Sequence, residues 1–113
     1  MIGMRKDYVG ESLIVNGDNY SGDISVKKEI IIKRNNDSRD IRAGGDITIK
    51  GNSKSWDIRT QKDLTVKGNV EASWIVANNI TIYGNLRASH VRAKKVTVNG
   101  EIYPGTKIVI QNI

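Results

Sequence analysis

Along the chain, short stretches alternate apolar, variable, apolar and then stop at a turn. Six of them follow one another: Leu13-Ile14-Val15, Ile30-Ile31-Ile32, Ile47-Thr48-Ile49, Leu64-Thr65-Val66, Ile80-Thr81-Ile82 and Val96-Thr97-Val98. A period of two predicts a strand with one buried face. Taking Ser12, Glu29, Asp46, Asp63, Asn79 and Lys95 as the first residue of each unit, the stretches recur at spacings of 17, 17, 17, 16 and 16. A corner follows each strand, Gly17-Asp18, Arg34-Asn35, Gly51-Asn52, Gly68-Asn69 and Gly84-Asn85. Gly and Asn tolerate positive backbone angles, so the corners are expected to use them.

The second half of each unit alternates again, with Ile24, Ile41, Ile58, Ile75 and Val91 inward and a small residue two places later. Between the halves, Val70/Ala72 and Leu86/Ala88 define what could be a short third side. Antiparallel hairpins would not set equivalent residues side by side. One turn of chain per unit does so, placing each residue about 4.8 Å from its equivalent. The sequence therefore predicts an all-β fold, a single-stranded parallel β-helix (β-solenoid) of about six coils of 16–17 residues. Residues 1–11 form an N-terminal extension or cap, and residues 12–113 form the solenoid, with a shortened last coil at about 101–113, where Pro104-Gly105 predicts a tight turn.

Composition fits this reading and removes some chemistry. A chain of 113 residues holds one core, and with no Phe that core is built from Ile, Val, Leu and Ala. The absence of cysteine excludes disulfides, thiolate catalysis and Cys-based zinc sites. No apolar run reads as a signal peptide or a membrane span, so the expectation is a cytoplasmic protein. Eighteen basic against 12 acidic residues give a net charge of +6, a lean toward an acidic protein, nucleic acid or an anionic membrane surface. The single histidine, His90, has no nucleophile or phosphate loop beside it, so no enzyme activity and no cofactor are expected.

In a solenoid the surface is a set of columns, one residue per coil. Thr48, Thr65, Thr81 and Thr97 form one, explained by the fit of branched residues to an exposed strand. Lys33, Lys50 and Lys67 with Tyr83 form another, either an anion-facing stripe or a solvated basic face. Asp37, Lys54, Glu71 and Arg87 alternate in sign and read as a structural charge ladder. Asp23, Asp40 and Asp57 beside Arg42, Arg59 and Arg92 predict a diagonal network of ion pairs; a lyase-like acid and arginine pairing would need longer loops to make a cleft. Trp56, Trp74 and His90 form an aromatic patch, either a partner surface or a cover over a corner of the core.

Neither end carries a convincing polar cap, which makes Leu13, Val15, Ile108 and Ile110 candidates for end-to-end stacking. The stretch "GNVEASWIVANNITIYGNLRASHVRAKKVTVNGEI", Gly68 to Ile102, resembles the bactofilins, polymer-forming cytoskeletal proteins whose phrases G-[ND]-[IVL]-x-A-x-x-[IV] and V-x-V-x-G-x-I recur in short coils. The resemblance extends at most over residues 29–102. It implies a right-handed, triangular β-helix without enzyme activity or bound nucleotide, and homo-oligomers or polymers made through the coil ends, sometimes at a membrane. Two functions are thus expected. The first is a non-enzymatic structural module that self-associates through its ends. The second is a small binding protein, of the kind phages and mobile elements encode, that docks a protein or nucleic acid through the Trp/His patch or the basic stripe.

Overall fold

The structure, a computed structural model, describes residues 5–111. Every pairing between its strands is parallel, and the strands stack as a β-solenoid of six coils, as the repeat predicts. Each complete coil has three sides. The first side stacks Leu13–Val15, Ile30–Ile32, Ile47–Ile49, Leu64–Val66, Asn79–Ile82 and Lys95–Val98 into a six-stranded sheet. The second is narrow, with the two-residue strands Asn19–Tyr20, Asn36–Asp37 and Ser53–Lys54. The third stacks Tyr8–Gly10, Ile24–Val26, Ile41–Ala43, Asp57–Thr60 and, at the C-terminal end, Lys107–Ile110. In the fourth and fifth coils the strands Val70–Val76 and Leu86–Ala93 run on through the corner, and so join the second and third sides into one ten-stranded sheet.

The core is a set of ladders. Ile30, Ile47, Leu64 and Ile80 stack from the first side, and Ile24, Ile41, Ile58, Ile75 and Val91 from the third, all at most 1% exposed. Burying one such side chain is worth roughly 1.5–3 kcal/mol, and each needs its copies above and below, with the ladders of the other sides, to be buried. The small residues two places along the third side, Val26, Ala43, Thr60, Ala77 and Ala93, are also buried.

The second side is present in every complete coil, including those where hydrophobicity gives no sign of it. Its inward positions are apolar only in the fourth and fifth coils, at Val70, Leu86 and Ala88. Earlier coils bury Asn36, Ser21, Ser38, Ser53 and Ser55 there. Burial of polar groups is tolerated where they bond one another. Asn19 Nδ2 donates to Asn36 Oδ1 at 2.8 Å and to Ser21 Oγ at 3.0 Å, and Asn36 Nδ2 donates to Ser38 Oγ at 3.0 Å.

The corners correct the expectation about backbone angles. Among the described residues only Gly105 has a positive φ, at 92°, so the Gly-Asn pairs are not there for the left-handed region. Their role is contact between coils. The Oδ1 of Asn35, Asn52, Asn69 and Asn85 accepts the backbone N–H of Asn52, Asn69, Asn85 and Glu101 in the next coil, at 2.8–2.9 Å, and Asp18 begins the column by accepting from Asn35. Glycine leaves room for that side chain: a Cβ on Gly68 would press on Asn52 Oδ1 and lie 2.8 Å from Gly51 O. The same device recurs where Asp46 and Asp63 accept from Asp63 and Asn79, and where Asp7 and Asp23 accept from Asp23 and Asp40.

That assignment also overturns the predicted Asp–Arg network. The two ion pairs among the described residues are Arg5–Asp37 and Lys27–Glu11, and neither involves Asp23, Asp40, Asp57, Arg42, Arg59 or Arg92. Asp23 receives a backbone amide instead.

Substitution at one corner tests the ladder. Asn69→Ala removes an acceptor and is expected to cost about 1 kcal/mol in urea unfolding, whereas Asn69→Asp, which keeps it, stays near wild type. Gly68→Ala is expected to cost about 1–3 kcal/mol through overpacking.

Candidate functional site

The chain ends, the aromatic patch and the basic stripe are the places where the outer columns depart from regular stacking. At the N-terminal end, Tyr8 falls in the inward column, in register with Ile24. Its ring folds over Gly10, where a Cβ would come 2.9–3.2 Å from ring and hydroxyl atoms, and its hydroxyl donates to Ser12 O at 2.8 Å. Gly10 is thus the seat of an aromatic lid over part of the open coil. Leu13 and Val15, next to it on the first side, are half-buried.

The C-terminal end has no such lid among the described residues. After Val98 the chain makes one bridge on the second side, Leu86 to Ile102, and then cuts the corner. Tyr103-Pro104-Gly105-Thr106 closes with Thr106 N donating to Tyr103 O at 3.3 Å, and its positive φ at Gly105 marks a type II turn, as Pro-Gly predicts. Lys107–Ile110 then pairs with His90–Ala93, placing Ile108 over Val91 and Ile110 over Ala93. The final inward layer is therefore Val96, Val98, Ile102, Ile108 and Ile110. Ile102 is 45% and Ile110 47% exposed, although the residues they stack on are buried.

The aromatic patch is smaller than the sequence proposes. Trp74 and His90 occupy one column above Asp57, and their rings stack with centroids 4.3 Å apart and 15° between planes. Trp56 lies one column away, at the corner between the second and third sides, with more than half of its surface exposed. It does not fold over the core. Arg39, its equivalent in the preceding coil, places its guanidinium 5.3 Å from the ring centroid. Nδ1 of His90 is buried without a hydrogen-bond partner.

Lys33, Lys50, Lys67 and Tyr83 form the expected exposed column on the first side, each donating its backbone N–H to the coil before it. Lys67 Nζ sits 4.1 Å from the Tyr83 ring centroid. The same arrangement recurs at Arg87 over Tyr103, 5.5 Å. In three of these pairs the cation and the aromatic are equivalents in successive coils, so a spacing of 16 or 17 residues was the available signal. Such contacts contribute roughly 0.5–1 kcal/mol when exposed.

No family model, curated protein or solved structure matches the chain.

Single-tryptophan variants report the two environments. With Trp74→Phe the remaining Trp56 is expected to be readily quenched by acrylamide. With Trp56→Phe the remaining Trp74, covered on one face by His90, is expected to be quenched less, and equal quenching would contradict the stacked geometry.

Proposed function

We propose that this chain is a non-enzymatic assembly module that self-associates through its coil ends, in the manner its resemblance to the bactofilins implies. The exposed final layer at the C-terminal end carries this reading. Val96, Val98, Ile102, Ile108 and Ile110 continue ladders that are buried in the coils between the two ends, and the strand edges beside them have no further coil to pair with among the described residues. A second solenoid end would supply what each ladder lacks, apolar contact on the open side together with backbone partners for an edge strand.

The two ends are unequal in this respect. Tyr8 already covers part of the N-terminal end, so Ile108 and its neighbours form the stickier surface and Leu13 and Val15 the weaker one. Sedimentation velocity and negative-stain microscopy at increasing concentration test the reading. Oligomers or filaments are expected. Ile102→Lys should abolish them with the circular dichroism spectrum unchanged, while Leu13→Lys should weaken them less. A wild-type chain that stays monomeric throughout would refute the proposal.

A further inference from the structure

The second side of the solenoid has an outward column whose full extent only the strand register shows. Tyr20 pairs with Asp37, Asp37 with Lys54, Lys54 with Glu71 and Glu71 with Arg87, and the bridge at Leu86 and Ile102 brings Tyr103 next. The column therefore reads Tyr, Asp, Lys, Glu, Arg, Tyr over five strand spacings, about 24 Å. This side is only an inward, an outward and an inward residue wide, so these six side chains line it, joined at the N-terminal extremity by Arg5, whose guanidinium lies 4.3 Å from the Tyr20 ring centroid. Grooves of about 470 Å3 and 370 Å3 run beside them, one toward the corner asparagines and the other toward Trp56.

Alternation in sign would be explained if neighbours were paired within the chain. They are not: for Asp37, Lys54, Glu71 and Arg87, the only ion pair within 4 Å among the described residues is that of Asp37 with Arg5, 3.0 Å. Lys54, Glu71 and Arg87 are exposed and have no ion-pair partner among the described residues. An even number of alternating charges has one further property. Reversed end for end, it becomes its own complement.

We propose that the second side is a self-complementary lateral interface, where a second copy of this chain docks with its solenoid axis antiparallel. A two-fold axis lying along the strand direction between Lys54 and Glu71 sets Asp37 against Arg87 of the other copy, Lys54 against Glu71, Glu71 against Lys54 and Arg87 against Asp37. It also sets Tyr20 against Tyr103 at both extremities. Such an isologous contact uses every charge twice and closes on itself. The Asp37 carboxylate has acceptor capacity for both Arg5 and the incoming Arg87. The other two sides cannot pair this way, since Lys33, Lys50 and Lys67 on the first, or Arg42, Arg59 and Arg92 on the third, would meet further basic residues. Complementarity of this kind fixes orientation and partner more than it adds affinity, and a side this narrow gives a weak, salt-sensitive contact.

Sedimentation equilibrium at high protein concentration tests the interface. The wild type is expected to dimerise at about 20 mM salt and to dissociate at about 500 mM, where the Debye length shrinks to a few ångströms. Lys54→Glu and Glu71→Lys should each weaken dimerisation at least about tenfold, since each turns two attractive pairs into repulsive ones. An equimolar mixture of those two variants should associate again, because the reversed column of one complements the other. The double variant K54E/E71K should also dimerise, although the alternation along its own column is lost. That last result separates a contact between copies from a charge ladder within one chain. Association that survives Ile102→Lys but disappears with Lys54→Glu is lateral; the converse pattern belongs to the coil ends. A monomeric wild type at low salt, or a mixture that fails to associate where the wild type does, would overturn the proposal.

Discussion

At the corner after each first-side strand, a side-chain oxygen of one coil, a carboxylate at Asp18 and an amide thereafter, accepts the backbone N–H of its equivalent in the next, and this column runs from Asp18 to Glu101. A corner is where a parallel sheet ends and the ladder of backbone bonds would be interrupted. The asparagine column bridges that gap and also fixes the register, because Asn52 can bond the N–H of Asn69 only if the two coils are aligned residue for residue. From the third corner on, the glycine beside it leaves room for the side chain of the neighbouring coil, whereas the second corner carries Arg34 in that place. Similar acceptors at the other corners, Asp23 for Asp40 and Asp63 for Asn79, keep the remaining sides in step.

Fixed register has consequences inside and outside. Inside, Ile41 stacks in register between Ile24 and Ile58, so the ladders need no large aromatic and the absence of Phe is no handicap. It also allows the second side to bury Asn36, Ser21, Ser38 and Ser53 in a chain of hydrogen bonds, with partners at the same place one coil away or two residues along, while the Ser55 hydroxyl is buried without one among the described residues. Outside, register makes columns, and a column can carry properties that no local stretch of sequence has. The alternation from Asp37 to Arg87 and the cation above an aromatic at Lys67 and Tyr83 are both of this kind.

The ends are where stacking stops supplying partners. The two ends meet that problem differently. At one, Tyr8 turns its ring over Gly10 and bonds Ser12, so a single side chain substitutes for part of a missing coil. At the other, the Pro104-Gly105 turn skips most of the second side, and Ile102 and Ile110 remain partly bare. The proposed uses of the molecule, association through the ends and antiparallel pairing through the second side, both answer the same circumstance: a ladder or column with an unfilled partner position.

The periodicity of Ile, Val and Leu, read without coordinates, determined the six-coil parallel solenoid, its inward ladders on two sides, the exposed lysine column, an outward threonine column that the structure leaves half-buried at Thr48, Thr65 and Thr81, and the Pro-Gly turn. These features depend on spacing alone, and spacing is what a sequence records directly. Hydrophobicity could not reveal the second side of the early coils, because Asn19, Asn36, Ser38 and Ser53 look like turn residues until hydrogen bonds across coils allow them to be buried. Nor could it give the reason for the corner glycines, which lies in a contact with Asn52 or Asn69 from another coil. The supposed salt-bridge network at Asp40 and Arg42 is absent among the described residues: the Asp23 carboxylate accepts the backbone N–H of Asp40, and no ion pair joins these acids to Arg42, Arg59 or Arg92. Trp56 and Trp74 were rightly read as outward, but only the tertiary structure stacked Trp74 on His90 and left Trp56 at a corner under Arg39. It alone carried Tyr20 and Tyr103 to the two extremities of one charged column, because register, and not proximity along the chain, decides which side chains become neighbours.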